Sequence, residues 1–500
     1  MFEGLLDLGW VPLLVLAVAL LIALGFEFVN GFHDTANAVA TVIYTNSLPA
    51  GKAVLISGLC NFAGVFVGGI AVAMAIIHLL PVELLVAGGT GSSLAMVMAL
   101  LVAAILWNLG TWFFGLPASS SHTLIGAILG VGIADSLLPG RVFGSGVNWG
   151  KVEHVGASLL VSPIFGFLLA GLLLVLARKL LKDPKLYEPP PENEPPPAYI
   201  RWILIGTCSG VSFAHGSNDG QKGIGLIMLI LIGILPANFA LNLSAPPEHF
   251  KDTLAAIESF EGRVLDAKIA GVTTASLAAI DPNQPPTDEH PEGIPAHARD
   301  PKTPEVAGLS ALFHLERMRI QLADRSSVGE IPREKRWSVR ESQLRFEQSW
   351  KGLLALKAIQ PDAKEEAVIK ADFDRLRLLT DYSPTFVLIL VALALGVGTM
   401  VGWERIVVTV GEKIGSTHLT YAQGACAELV AMSTVGVAAF AGLPVSTTHV
   451  LSSGVAGTMV ANKSGIQGKT VRNIALAWVL TLPVAMTLAG GLYLLFRLFV

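Results

Sequence analysis

The stretch Leu-Pro-Ala-Ser-Ser-Ser-His at residues 116–122 returns as Leu-Pro-Val-Ser-Thr-Thr-His at residues 443–449. Counting the glycine that precedes each copy, five of eight positions are identical, and the other three exchange Ala for Val or Ser for Thr. Each copy directly follows a long apolar segment. Such a match between distant parts of one chain predicts an internal repeat with the same local structure in both halves.

The repeated stretch has the composition of a helix start. Proline is tolerated in the first helical turn, and Ser and Thr side chains accept hydrogen bonds from backbone N–H groups that lack partners there. Because a helix start is rich in N–H donors and neither copy carries a carboxylate, each is suited to hold an anion. A single copy would be explained as well by helix packing or by the capping of a kink. Two matched copies favour a substrate site built by two pseudo-symmetric halves.

The composition is that of a membrane protein. Of the 500 residues, 52% are apolar, and the mean hydropathy is +0.61, which exceeds what soluble proteins of this length show. Charge is concentrated in one region, because residues 244–383 hold 42 of the 72 Asp, Glu, Lys and Arg. Apolar residues recur there at helical spacing, so we predict one soluble, mostly helical insertion in an otherwise apolar protein.

The charge balance and the cysteines exclude several kinds of partner. A net charge of −4 leaves no large basic surface, so nucleic acid is not expected as a partner. The three cysteines are scattered through apolar segments and lack the spacing of a disulfide framework or a metal site. We therefore predict no cofactor.

A second motif is also repeated. Residues 30–37 read Asn-Gly-Phe-His-Asp-Thr-Ala-Asn between two apolar runs, and residues 214–222 read Ala-His-Gly-Ser-Asn-Asp-Gly-Gln-Lys. Polar residues inside an apolar helix are typical of a helix broken at membrane depth, so we expect a break in both places. Aligned at Gly31 and Gly216, the motifs pair His33 with Asn218, Asp34 with Asp219, and Asn37 with Lys222.

These segments predict an all-α polytopic membrane protein with two inverted-topology repeats, broken or re-entrant helices and one soluble insertion. The proline-rich linker at 183–200 follows several basic residues, so the positive-inside rule places it in the cytoplasm. Five spans before it would give the two halves opposite orientations. The predicted regions are a first transmembrane repeat (1–182), the linker (183–200), the start of the second repeat (201–243), the insertion (244–383) and the rest of the second repeat (384–500).

Together the four motifs resemble the duplicated signature of the PiT family of inorganic phosphate transporters, and the placement of the insertion looks most like the bacterial low-affinity members. The resemblance covers nearly all of the apolar part of the chain. It implies a homodimer in the bilayer of the bacterial cytoplasmic (inner) membrane that moves phosphate together with a cation, H⁺ or Na⁺. Similarity to the bacterial members further implies proton coupling and phosphate complexed with Mg²⁺ or another divalent metal.

Carried over position by position, the resemblance implies a set of neutral donors around phosphate. Neutral donors suit a carrier, because an anion held by several arginines would be hard to release. Hydroxyl and backbone N–H groups would bind the phosphate oxygens, and further polar side chains would complete the coordination. The predicted substrate-binding residues are Ser119, Ser120, Ser121, Ser446, Thr447, Thr448, Asn37, Asn218, Gln221 and Lys222.

Two aspartates are the candidates for binding the coupling cation. A carboxylate at the membrane midplane is costly and marks function, so Asp34 and Asp219 are assigned to the cation. The alternative is that each merely caps the second half of a broken helix. His33 is a side chain of the type that titrates near neutral pH and offers a second route for protons. Glu27 would either relay protons or hold helices together.

Two positions depart from the family pattern. Family members more often have Asn where this chain has His33, and Asn where it has Lys222. We hypothesise that the Lys222 ammonium supplies a fixed positive charge in place of a cation ligand, so that a proton becomes the coupling ion. If Lys222 instead lies at the membrane edge, snorkelling would explain it.

Three alternatives remain open from the sequence. Sodium could drive the transport, and the same donors could bind another oxyanion such as sulfate. A membrane-embedded hydrolase is disfavoured, because every component here occurs twice whereas a hydrolase needs one nucleophile with its base and orienter. The chain is therefore predicted not to be an enzyme.

Overall fold

The computed structural model describes residues 9–77, 89–139, 143–144, 147, 149–191, 194–275, 303–443 and 445–499. Within these ranges the chain is helical and contains no strand, so the predicted all-α fold is confirmed. Two compact units are present: one contains the described residues of 10–230 and 383–499, and the other those of 231–382. The predicted boundaries of the repeats and of the insertion stay predictions.

The helices follow in chain order. The first part of the chain contains α1 (Trp10–Asp34), α2 (Ala36–Tyr44), α3 (Ala50–Val67), α4 (Ala71–Ile77), α5 (Gly89–Phe113), α6 (Ser120–Ser136), α7 (Trp149–Leu180) and α8 (Ala198–Ile234). Next come α9 (Pro236–Phe239), α10 (Pro247–Asp266), α11 (Pro304–Leu322), α12 (Arg336–Ala355) and α13 (Ala363–Leu376). The last part contains α14 (Thr385–Thr399), α15 (Glu404–Val408), α16 (Tyr421–Phe440), α17 (Thr447–Ala461) and α18 (Gly468–Phe496).

Several of these helices can cross a membrane. In the described part of the chain, six are long and apolar enough, and a seventh span results if α14 and the helical stretch from Glu404 to Lys413 are counted as one, bent by 56°. α6 and α17 are shorter, at 17 and 15 residues, and nearly all of their residues are buried. The two helices that follow the hydroxyl motifs therefore lie inside the bundle instead of facing lipid.

The prediction that the helix breaks at both aspartate motifs is wrong, because the first motif has only a short interruption and the second has none. In the first motif the helix is interrupted only at Thr35, and Trp10–Tyr44 still forms one candidate span. The second motif lies inside α8, which is continuous for 37 residues. The physical reason is that residues 214–222 contain no proline and their polar side chains find partners on neighbouring parts of the chain, Asn61 of α3 and the backbone of Leu443, so the backbone can keep its helical hydrogen bonds.

The sharper breaks occur at glycines with positive φ. Gly115 (φ 63°) and Gly442 (φ 68°) end the chain segments before the hydroxyl motifs, while Gly69 (φ 72°) and Gly402 (φ 69°) separate α3 from α4 and α14 from α15. Glycine adopts this conformation without the steric cost of a β-carbon. The breaks come in matched pairs, one member in each half.

Helices from the two halves pack at very short distances. A β-carbon at Gly31 of α1 would lie 2.4 Å from the Leu395 oxygen of α14, and one at Gly216 of α8 would lie 2.2 Å from the Asn61 oxygen of α3. In the same way, α6 packs closely against α18, and α17 packs closely against α7, again at glycines. Small residues permit such close approach in membrane helices. This pattern is expected of two related halves, and their inverted orientation stays a prediction.

The second unit has a core of its own. Apolar side chains of α10, α11, α12 and α13 form one cluster that includes the fully buried Phe260, Phe346 and Trp350. Charged residues near this core are paired, as in the contact of Arg377 with Glu347. The expectation that the insertion is mostly helical is met by its described residues.

Replacing Gly130 should show whether close helix packing supports the membrane unit. A β-carbon there would lie 2.1 Å from the Met486 oxygen of α18, so Gly130→Ala must push two helices apart. We expect the midpoint of thermal unfolding in detergent to fall by at least about 2 °C. Gly436→Ala is the matched control, because no described atom outside the backbone of its own helix lies within 4 Å of the added β-carbon and alanine favours a helix. Equal midpoints for the two variants would contradict this role.

Candidate functional site

The two hydroxyl motifs form two almost identical helix starts. Ser119 (φ −98°, ψ 115°) and Ser446 (φ −99°, ψ 110°) are the N-caps of α6 and α17, and each side chain accepts a hydrogen bond from the backbone N–H of the histidine three residues later. The donor–acceptor distances are 3.2 and 3.1 Å. The predicted helix starts are thus observed. Pro117 precedes the cap instead of lying in the first turn, and Pro444 lies outside the described residues.

These two helix starts touch each other. The Ser121 hydroxyl donates to the Val445 carbonyl oxygen at 3.1 Å. Nearby, the ring centroids of His122 and His449 are 4.4 Å apart, and the ring centroid of Trp478 is 4.1 Å from that of His449. Two stretches that are far apart in the sequence therefore lie next to each other at the centre of the membrane unit.

The two aspartates lie directly in front of the helix starts. The Ser120 hydroxyl is 3.2 Å from a carboxylate oxygen of Asp34 and 3.3 Å from one of Asp219. His215 also bridges the pair, because its Nε2 is 3.4 Å from Asp219 and 3.6 Å from Asp34. All four side chains are buried. One hydroxyl and one imidazole thus join the carboxylates of the two halves.

Asn37 and Lys222, which align in the repeat, make equivalent contacts. The Asn37 amide donates to Thr448 at 2.9 Å and to Asp34 at 3.3 Å. The Lys222 ammonium donates to Ser121 and lies 2.7 Å from Asp219. Each residue therefore links the aspartate of its own half to the third hydroxyl of the other half's motif. Lys222 is fully buried, which excludes snorkelling at the membrane edge.

Two more predicted residues contact Asp34. The Thr448 hydroxyl donates to a carboxylate oxygen of Asp34 at 2.7 Å. His33 places Nδ1 at 3.3 Å from the same oxygen and Nε2 at 3.1 Å from the Thr111 hydroxyl. Thr447 is buried next to these groups in the sequence, and its hydroxyl has no hydrogen-bond partner in the described structure.

Other predicted residues are buried and make no hydrogen bond to the two carboxylates in the described structure, although Glu27 is close enough to Asp219 to interact with it electrostatically. Gln221 contacts the backbone of Gly68, Ser217 and Val72 and serves the packing of α8. The Asn218 amide donates to the Leu443 carbonyl at 3.1 Å, at the edge of the second hydroxyl motif. Glu27 packs against α8, since a β-carbon at Gly223 would lie 2.4 Å from its Cγ. Ser119 and Ser446 are occupied as caps.

Sequence reasoning missed His215. It belongs to the second repeated motif, where it aligns with Asn30 of the first. In the structure both side chains contact the aspartate of the other half. His215 lies 3.6 Å from Asp34, and Asn30 donates to Asp219 at 3.4 Å. The available signal was the spacing of four residues before each aspartate, which places both side chains on one helical face.

Glu428 is a further buried acid away from this cluster. It accepts hydrogen bonds from Thr41 of α2 and Thr207 of α8 and so joins three helices. Asn61 of α3 contacts His215 at 2.9 Å and Thr399 at 2.9 Å. These contacts fix the position of His215 and hold α3, α8 and α14 together.

The cluster combines ligands for a cation with donors for an anion. Asp34, His215 and Asp219 offer ligand atoms that all lie within 4.8 Å of one another, which is the chemistry of a cation site. The hydroxyls and the two helix starts offer donors to an anion. The charged groups of this cluster are the Asp34 and Asp219 carboxylates and the Lys222 ammonium. Glu27 is a third buried carboxyl, close enough to Asp219 and Lys222 to interact with them electrostatically.

Comparison with known proteins gives consistent results. Residues 30–489 match the phosphate transporter family. The chain is 42% identical over 504 residues to the low-affinity inorganic phosphate transporter PitA of Escherichia coli (strain K12), covering 99% of this chain and 98% of that protein. It is 42% identical to PitB of the same organism over 495 residues, with 96% of each chain covered.

More distant proteins agree. The low-affinity inorganic phosphate transporter of Buchnera aphidicola subsp. Acyrthosiphon pisum is 40% identical over 492 residues, covering 96% of each chain. A solved structure described as the sodium-dependent phosphate transporter superposes with a TM-score of 0.53 at 19% identity, covering 97% of this chain and 100% of that one. At that identity the likeness concerns the fold alone.

Proposed function

The chain belongs to the phosphate transporter family, and from this premise we propose that it is a secondary active carrier that moves inorganic phosphate together with a cation through the cluster of Asp34 and Asp219. It is a transporter and not an enzyme, in line with its relatives. One observation carries the proposal: the Ser120 hydroxyl is shared between the carboxylates of both halves.

The phosphate donors are the hydroxyls that now serve the carboxylates. Ser120 and Thr448 donate to aspartate oxygens, and a hydroxyl has a single proton to donate. A phosphate oxygen must therefore take the place of a carboxylate as acceptor. Thr447 and Ser121 add hydroxyls at the same helix starts, whose backbone N–H groups favour an anion. Ser119 and Ser446 act as caps that fix the helix starts.

Two unneutralised carboxylates would repel phosphate in a buried site. A cation on Asp34, His215 and Asp219 removes that repulsion and weakens the hold of the carboxylates on Ser120 and Thr448. Cation binding thus prepares the donors for the anion, and the two solutes move together. A site with these residues would therefore couple phosphate transport to cation transport in the same direction.

Lys222 already supplies one positive charge in the second half. Its ammonium lies 2.7 Å from Asp219, whereas the equivalent Asn37 gives Asp34 only a neutral donor. The second aspartate is therefore neutralised by the protein, and Asp34 is the one that requires a mobile cation. Two imidazoles, His33 and His215, contact Asp34, which supports a proton as that cation. Sodium coupling is the alternative.

The remaining parts of the proposal are the expectations that the family resemblance implies for the sequence. Mg²⁺ or another divalent metal would enter as a complex with phosphate, which lowers the charge that the site has to accept. The carrier would work as a homodimer in the bacterial cytoplasmic membrane. Gln221 and Asn218 would support the helices around the path instead of contacting phosphate, since their observed partners are backbone groups outside the carboxylate cluster. Glu27 lies close enough to Asp219, Lys222 and His215 to interact with them electrostatically, so both roles predicted for it, proton relay and the holding together of helices, stay predictions.

Removal of either the Ser120 or the Thr447 hydroxyl should abolish most transport. We expect Ser120→Ala and Thr447→Ala each to lower phosphate uptake into proteoliposomes at least about tenfold, because a hydrogen bond to a charged group contributes about 1.5–3 kcal/mol. Ser136→Ala is the control, since Ser136 lies on the same helix and donates only to the backbone of Ile133. Wild-type uptake by both Ser120 and Thr447 variants would count heavily against the site.

The fixed charge is tested by replacing Lys222 with asparagine, the residue found at the equivalent position 37 of the first motif. Lys222→Asn should make uptake depend on sodium or reduce it at least about tenfold, because Asp219 then lacks a neutralising partner. The measurement is uptake with pH and sodium gradients imposed separately. Lys52→Asn, at an exposed position, is the control. Full proton-driven uptake by Lys222→Asn would show that the ammonium is not needed for coupling.

Substrate class and coupling ion can be measured on the unmodified protein. We expect arsenate to compete with labelled phosphate and sulfate to compete at least about tenfold less, because sulfate lacks the protons with which phosphate can donate to Asp34 and Asp219. Uptake should follow an imposed pH gradient and rise when Mg²⁺ is added. Equal competition by sulfate would favour a general oxyanion carrier. Uptake driven only by a sodium gradient would identify sodium, and not the proton, as the coupling ion.

A further inference from the structure

An apolar groove lies at one end of the membrane unit, away from the carboxylate cluster. It has a volume of about 370 Å³ and lies between the end of α7, the linker, and the first turns of α8 and α16. Several of its wall residues are largely exposed, among them Leu180 (71%) and Ile203 (51%). Its walls include Leu176, Leu180, Leu186, Ile203, Ala425 and Leu429.

The same end of α7 carries a cluster of basic residues. Arg178, Lys179, Lys182 and Lys185 alternate in the sequence with the groove residues Ala177, Leu180, Leu181 and Leu186. All four basic side chains are exposed. No ion pair involves them in the described part of the chain, so their positive charges are available to a ligand.

The linker is held in place next to this basic cluster. Arg178 lies over the ring of Tyr187 at 5.1 Å, and the Tyr187 hydroxyl donates to the Leu181 carbonyl at 2.9 Å. Tyr199 of α8 donates to Asp183 at 2.6 Å. These contacts fold residues 181–187 back against the helix ends, so the basic residues and the groove keep a fixed relation to each other.

We propose that this groove binds one anionic phospholipid, with an acyl chain between α7 and α16 and the phosphate headgroup on Arg178, Lys179, Lys182 and Lys185. A groove without polar lining fits a hydrocarbon chain, and a basic cluster at the end of membrane helices selects an anionic headgroup over a zwitterionic one. Free inorganic phosphate could use the basic residues but has no hydrocarbon chain to fill the apolar groove. The combination therefore fits a lipid.

The bound lipid would contact a helix that matters for the interior. α16 lines the groove with Ala425 and Leu429, while Glu428 between them binds Thr41 and Thr207 on the inner side. A lipid in the groove would thus pack against α16, the helix that Glu428 joins to α2 and α8. Anionic lipid should stabilise this part of the membrane unit.

The test uses purified full-length protein in phosphatidylcholine nanodiscs that contain a minor fraction of photoactivatable phosphatidylglycerol. We expect labelled peptides from residues 173–186 and 421–429. The combined variant Arg178→Gln, Lys179→Gln, Lys182→Gln and Lys185→Gln should lose labelling about tenfold or more. Ala425→Trp, which fills the groove and keeps every charge, should lose it to a similar extent.

Two controls decide the outcome. Lys52→Gln, Lys413→Gln and Lys463→Gln together remove exposed charges at positions that do not line the groove, and should leave the labelling within about twofold of wild type. Size-exclusion profiles of all variants verify that they fold. Labelling that maps elsewhere, that persists in the charge variant and the Ala425 variant, or that is equal with a phosphatidylcholine probe would overturn the proposal.

Discussion

Two carboxylates buried inside a helical bundle require partners, and the centre of this protein is arranged to provide them. An isolated charge in an apolar interior costs several kcal/mol even after relaxation, and backbone groups of intact helices cannot supply donors. Asp34 and Asp219 instead receive donors from Ser120 and Thr448 at the two helix starts, and from His215 and Lys222. The buried helix starts and the polar faces of α1 and α8 all serve this requirement.

Duplication explains how one short chain segment can provide so many donors. Each half brings an aspartate, a residue three positions later that reaches across to the other half, and one four positions earlier that does the same. Close packing at glycines such as Gly31 and Gly216 lets the halves come near enough for these contacts. Because several of these contacts cross between halves, each aspartate depends on the other half for part of its hydrogen bonding.

The sequence indicated the parts of this arrangement that depend on local chemistry. The two hydroxyl motifs were predicted as helix starts from the capping preferences of serine and threonine, and the aspartates as midplane carboxylates. What could not be predicted depends on partners distant in the sequence. Gln221 and His215 lie in the same motif, and only the positions of α3 and α4 decide that Gln221 contacts backbone while His215 faces the carboxylates. The continuity of α8 has the same cause, since polar partners across the interface make a break unnecessary.

The halves are similar without being equal, and the difference lies in charge. Asn37 and Lys222 occupy equivalent positions and make equivalent contacts, yet one is neutral and the other is an ammonium. A symmetric site with asparagine at both positions would leave two carboxylates that each need a cation before an anion can approach. With Lys222 paired to Asp219, one of these charges is permanently compensated. The ammonium is also already engaged by Asp219 and Ser121, so it compensates charge without acting as a free trap that would retain the anion.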